Sequence, residues 1–231
     1  MRGRVKAASM VAVLCAIGFW MGACQKASEG DKGAESKKTP EIPFPIVPEQ
    51  VQQIVADLGP WVKSEQLPKA ERKTFEQFCR FLVVRRHCDD AIATKEIDDK
   101  KAIEITQPLI DRLAALGKPT EDVLIRLLEA RKGRDQEQRR QTLCGEDPEI
   151  YGAIVLWNMK SARAVPLFME LAKDARIESR AVFVRGLGRI GDSKALDLLN
   201  ELATKDTSAD VQNEAKTAIA NIQKRATPEK K

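Results

Sequence analysis

His87 is the only imidazole in this 231-residue chain, and it sits beside Cys88, eight residues after Cys79 and just before Asp89 and Asp90. Those residue types could do two kinds of chemistry. Two thiols and an imidazole, joined by the distant Cys144, could hold a zinc ion, or His87 could serve as the base beside a nucleophilic thiolate. Neither spacing supports this: cysteine–histidine zinc sites carry paired short spacings, which are missing here, and no G-x-S-x-G element offers a serine nucleophile. The reading favoured is a polar helix end. A catalytic alternative stays open, in which residues 48–101 build a cleft against the rest of the chain and His87, Asp89, Asp90 and Glu146 converge in it. The carboxylates otherwise fall where helix caps and i, i+4 partners belong, as with Glu121, Asp122, Glu129 and Asp192. The expectation is therefore no enzyme, no cofactor and no metal.

A second thiol stands in a different setting. Arg2, Arg4 and Lys6 precede an apolar run from Ala7 to Trp20, and Met21-Gly22-Ala23 then lead into Cys24. Positive charge, a short greasy segment and small residues before a cut make an export signal. Gly-Ala-Cys resembles the lipobox of bacterial lipoproteins, with Met21 standing where the family usually has Leu. The resemblance implies that residues 1–23 are removed and that Cys24 becomes the acylated N-terminus, mooring the protein to a membrane. Gln25, being other than Asp, implies sorting to the outer membrane in a Gram-negative cell, facing the periplasm or the cell surface. An uncleaved anchor is the alternative, since Ala7 to Ala23 is 17 residues, at the short limit of a bilayer span.

Export places the remaining thiols in an oxidising compartment. On one helix Cys79 and Cys88 would lie roughly 13.5 Å apart, beyond the ~7 Å that a bridge tolerates. Cys88 with Cys144 is the pair left, each at an expected element end; three reduced thiols remain the alternative.

Charge excludes one large class of partner. The net charge is +5, and residues 1–23 contribute three bases and no acids, so the remainder carries +2 with both signs interspersed. A nucleic-acid surface needs a clustered cationic excess, so none is expected. The densest basic stretch, Arg126, Arg131, Lys132, Arg134, Arg139 and Arg140, is broken by Glu129, Asp135 and Glu137. It reads as a solubilising face, with contact to anionic lipid the lesser alternative.

The elements that position these groups are helices. Residues 24–47 are polar and proline-bearing and form a tether, of which only Pro43-Phe44-Pro45-Ile46 has the grease to lie against a body. Residues 48–101 form an N-terminal helical region: a helix from Glu49 to Leu58 stopped by Gly59-Pro60, then one from Lys69 to His87 with Phe75, Phe78, Cys79 and Leu82 on its core face. A third helix is predicted from about Asp98 to Leu116, with Ile103, Ile110, Leu113 and Leu116 inward. Residues 225–231 form a frayed tail.

Over residues 102–224 the chain repeats itself. Leu124-Ile125 with Leu128, Leu167-Phe168 with Leu171, and Leu198-Leu199 with Leu202 recur as one pattern, each preceded at equal distance by Gly117, Lys160 or Gly191. Helix pairs at this period are the mark of a solenoid, because one pair alone buries only one face. The words Ser179-Arg180-Ala181, Gly186-Leu187-Gly188-Arg189-Ile190-Gly191-Asp192 and Ala195-Leu196-Asp197-Leu198-Leu199 resemble HEAT repeats of the short kind named after phycobilisome lyases. The resemblance implies an all-α, right-handed α-solenoid of helical hairpins. No bilin-binding pattern accompanies it. Taken together, the expectation is a lipid-anchored scaffold that binds another envelope protein through a ridge of second-helix residues: Arg163 and Glu170 from one hairpin, Lys194, Asp197 and Glu201 from the next.

Overall fold

The computed structural model describes residues 42–131, 148–174 and 180–227. Within them lie nine α-helices and no strand. Two begin the body: α1 (Pro48–Val62) and α2 (Lys69–Ala93). Three helical hairpins follow: α3 (Asp99–Ala115) with α4 (Lys118–Arg131), α5 (Pro148–Asn158) with α6 (Ala164–Lys173), and α7 (Arg180–Ile190) with α8 (Leu196–Lys205). A last first-type helix, α9 (Ala209–Ala226), closes the series. The helices α3, α5, α7 and α9 pack in succession as one layer, and each of α4, α6 and α8 packs on the first helix of the next unit. This is the layering of a solenoid.

The repeated triplets are what hold it together. Leu124, Leu128, Phe168, Leu171, Leu199 and Leu202 are all buried, in one core cluster that runs from Val51 in α1 to Ile222 in α9. Ile125 departs from the pattern and is only half-buried; Val123 and Leu127 take the inward places on α4. The turn residues also behave as the repeat predicts. Gly117 (φ 69°) and Lys160 (φ 55°) both adopt the left-handed conformation that lets a second helix turn back on a first. At Gly191 the demand is different: a Cβ would lie 2.5 Å from the Leu187 carbonyl oxygen, which accepts the Gly191 N–H at 2.8 Å.

Close approach of the helices depends on small residues. At Gly188 a Cβ would stand 2.8 Å from Ala218 Cα, so α7 and α9 touch nearly backbone to backbone. Gly186 serves another contact, with α6 rather than a neighbouring first helix, since its Cβ would meet the Phe168 ring at 2.5 Å.

Two helix ends and one buried face differ from the sequence expectation. α1 does not stop at Leu58 but runs through Gly59-Pro60 to Val62, because Val62 is buried and continues the stripe of Val51, Ile54 and Leu58; it ends where Lys63 turns left-handed (φ 52°) and donates its N–H to the Gly59 carbonyl. α2 continues past His87 to Ala93, since Val84, Cys88 and Ala91 extend its apolar face beneath the acidic pair Asp89-Asp90. In α3 the inward set is Ala102, Ile105, Thr106, Ile110 and Leu113, while Ile103 is half-buried and Leu116 is 38% exposed.

Ahead of α1 the chain lies against the body in an alternating manner. Ile42, Phe44 and Ile46 are partly buried over a second apolar cluster of Val84, Cys88, Ala102 and Ile105, with Pro43, Pro45 and Val47 turned outward. Among the described residues no helix is long and apolar enough to cross a membrane.

Candidate functional site

The residues singled out around His87 do not converge. His87 is half-buried, with its ring stacked on Phe44 (centroids 5.6 Å apart) and its Nε2 3.3 Å from Gln50 Oε1. Asp89 turns the other way, where it pairs with Arg85 one turn earlier on α2. Asp90 is exposed. Cys88 lies inside the helix with no exposed surface, and its thiol is pushed up to about 11 by burial, against the pull of Arg85 and with Asp89 adding to the rise. A thiol so held is protonated at neutral pH and a poor nucleophile or ligand. Cys144 and Glu146 lie outside the described residues, as does Cys24. No group of His, Cys, Asp and Glu suited to a metal occurs among the described residues.

What the sequence did not disclose is a buried polar contact on the opposite side of α2. Arg85, 4% exposed, donates from Nε to the Tyr151 hydroxyl at 2.8 Å, and its guanidinium lies 5.5 Å from the Tyr151 ring centroid. Tyr151 in turn meets Phe81 edge-on at 5.7 Å. Together these join α2 to α5, so the N-terminal helices and the repeats share one core. The cue was present, in an arginine directly after the apolar run Phe81 to Val84 and the chain's only tyrosine.

Charged side chains at the hairpin junctions are engaged within the fold. Arg163, a candidate for partner contact, reaches back from the α5–α6 turn to Glu121 (2.8 Å) and Asp122 (2.6 Å) of α4. Ser161 donates to Glu121 at 2.5 Å, and Lys118 pairs with Asp122. Burial alone would raise both carboxyls, but the hydrogen bonds from Ser161 and Arg163 to Glu121, and from Lys118 and Arg163 to Asp122, hold them below the ordinary carboxylate range. Arg163 thus ties the first hairpin to the second. One unit on, Arg180 grips Asp206 with both arms of its guanidinium, at 2.5 and 3.0 Å. Gln212, which stands 32 residues after Arg180, donates to the Asp206 carbonyl at 2.6 Å. Arg185 pairs with Glu214, and Arg126 with Glu71 at 3.4 Å. At the end of the series Arg225 forks onto the Gly188 and Gly191 carbonyls (2.6 and 2.7 Å), filling acceptors left open where α7 ends.

Against that background, the ridge of α8 stands apart. Lys194, Asp197 and Glu201 are exposed, and none makes a side-chain ion pair among the described residues; only the Lys194 backbone N–H is engaged, by the Asp192 carboxylate at 2.9 Å. Asp197 and Glu201 share one helix face at i, i+4, with Lys194 and Lys205 at helix spacing on either side of them. Glu170 is exposed on α6. Of the basic stretch noted above, residues 132–147 lie outside the described residues.

A further feature is a cavity of about 380 Å³ between α2 and α3. Its floor is Phe81, Val84, Leu109 and Leu113, and Ile42 and Ile46 wall one side.

Residues 147–220 match the family of HEAT repeats. No curated protein and no solved structure matches the chain.

Proposed function

We propose that this chain, whose residues 147–220 match HEAT repeats, is a lipid-anchored scaffold of the bacterial cell envelope, moored by acyl groups on Cys24 at the outer membrane and binding a protein partner through the outer ridge of its second helices. HEAT repeats generally mediate contact between proteins. One observation carries the reading. Carboxylates at the hairpin junctions are paired with arginine or lysine, whereas Asp197 and Glu201 on α8 make no ion pair among the described residues, Lys194 and Lys205 being the cations nearest them along the chain. An exposed carboxylate pair on one helix face suits a partner that brings lysine or arginine to it. Lys194 beside that pair and Glu170 on α6 are further polar contacts in this reading, while Arg163 serves the body. The protein performs no chemistry of its own in this reading.

The test is purification from gently solubilised membranes of the unaltered chain and of a variant carrying Asp197→Lys and Glu201→Lys. One stoichiometric partner retained by the first and lost by the second, with unchanged circular dichroism, is the expected result. A partner retained equally by both, or none at all, defeats the ridge assignment. Mass spectrometry of the N-terminal peptide should find Cys24 acylated and residues 1–23 gone; an unmodified Cys24 defeats the anchor.

A further inference from the structure

The cavity between α2 and α3 was not used by any of the foregoing. Its apolar floor and wall are described above; its rim is polar and unbalanced in charge. Lys73 and Arg80 on α2 and Arg112 on α3 stand over it against one acid, Glu76. All three cations are exposed, and none has an ion pair or hydrogen bond among the described residues. Other exposed cations such as Lys194 are likewise unpaired; what distinguishes these three is that they converge on one apolar cavity. A mostly apolar cavity with a few convergent charged groups is the form taken by small-molecule sites, and this volume lies within their range of ~300–1,000 Å³.

The lining restricts the occupant. An extended peptide would carry a row of N–H and C=O groups over a floor of Phe81, Val84, Leu109 and Leu113, where Gln77 is the one uncharged polar side chain in the lining. A hydrocarbon chain brings no such groups. Guanidinium and ammonium groups at the mouth select an anionic end.

We infer that this cavity binds a single long-chain fatty carboxylate, with its hydrocarbon on the α2–α3 floor and its carboxylate at Arg80 and Arg112. The inference stands apart from the ridge on α8 and from the lipid on Cys24. The wall, Ile42 and Ile46, belongs to the segment that precedes α1, so the occupant also holds that segment to the body.

Displacement of a fluorescent fatty acid by palmitate tests it, using the full chain with Cys24→Ser so that no acyl group of its own competes. The expected result is saturable 1:1 binding, at least 10-fold weaker for the double variant Arg80→Glu with Arg112→Glu, at least 10-fold weaker for methyl palmitate, and lost in Leu109→Asp. Arg80 and Arg112 are exposed, so their reversal leaves the fold intact by circular dichroism. Absence of saturable binding overturns the inference. So does binding indifferent to the charge reversal, binding of methyl palmitate as tight as palmitate, or affinity found only for phosphatidylglycerol vesicles.

Discussion

Replacing Gly188 with alanine sets two physical effects of opposite sign against each other. Within a helix, Gly→Ala is favourable by about 0.8–1.0 kcal/mol on propensity alone. At this site the new Cβ would stand 2.8 Å from Ala218 Cα and 2.9 Å from Ala218 Cβ. The first of these is backbone, so no rotamer change can relieve it, and α7 and α9 must move apart. Overpacking of this kind costs about 1–3 kcal/mol, sometimes more. Because the α7–α9 contact is the most extensive between helices among the described residues, the strain cannot be confined to one side chain. Since the contact is with backbone, the upper part of that range, about 2–3 kcal/mol, applies, and the propensity gain then leaves a net loss of about 1–2 kcal/mol, which for a chain of this size lowers the melting temperature by roughly 2–8 °C. Urea unfolding followed by circular dichroism measures it. Adding Ala218→Gly should recover part of the loss, since it removes the Cβ contact but not the Cα one. A Gly188→Ala protein as stable as the parent, or more stable, would refute the close approach of α7 and α9 and with it the stacking register.

Arg180→Ala should cost about 3–5 kcal/mol, because Asp206 is left with a buried, unpaired charge. Burial would raise the Asp206 carboxyl, but the hydrogen bonds from Arg180 and the Ser208 backbone, with the Arg180 charge, hold it below its ordinary value. The stability this contributes is therefore full above the unfolded value of ~3.9 and is lost as pH falls through the folded one. The gap in stability between the parent and Asp206→Asn should shrink below about pH 4, and a gap independent of pH would contradict the assignment. Cys88, with its thiol near 11 in the fold and at ~8.5 in an unfolded chain, should react with iodoacetamide at pH 8.5 on the order of 10²-fold more slowly folded than in urea. If a bridge to Cys144 forms, urea alone leaves Cys88 unmodified and urea with reductant does not; rapid labelling of the folded protein would refute its burial.

The repeats were legible because their period is written in large apolar residues. Leu124, Phe168 and Leu199 each require a facing helix, and the turn positions Gly117 and Lys160 carry the backbone geometry that their spacing implies. The N-terminal helices were less legible. Gly59-Pro60 and Asp89-Asp90 are local stop signals, but burial of Val62 and of Cys88 and Ala91 overrides them, and burial is a property of the assembled body. Side-chain roles were hardest to read. Arg163, Lys194 and Arg180 look alike along the chain, yet one clasps α4, one stands in solvent and one locks the turn before α9. What separates them is the distance to a carboxylate 26 or 41 residues away, which only the stacking of the hairpins brings near. The α2–α3 cavity had no linear signature, since its lining comes from three separated stretches.

The seating of Ile42, Phe44 and Ile46 has a mechanical consequence. These residues adhere by alternate side chains laid on a surface, so tension applied through the N-terminal end would peel them one after another, as tape lifts from glass, before any helix bore load. Each step detaches one residue, whereas shearing a hairpin would break many contacts together. The protein thereby has a built-in slack of a few residues, and its solenoid would feel a pull only after that reserve had run out.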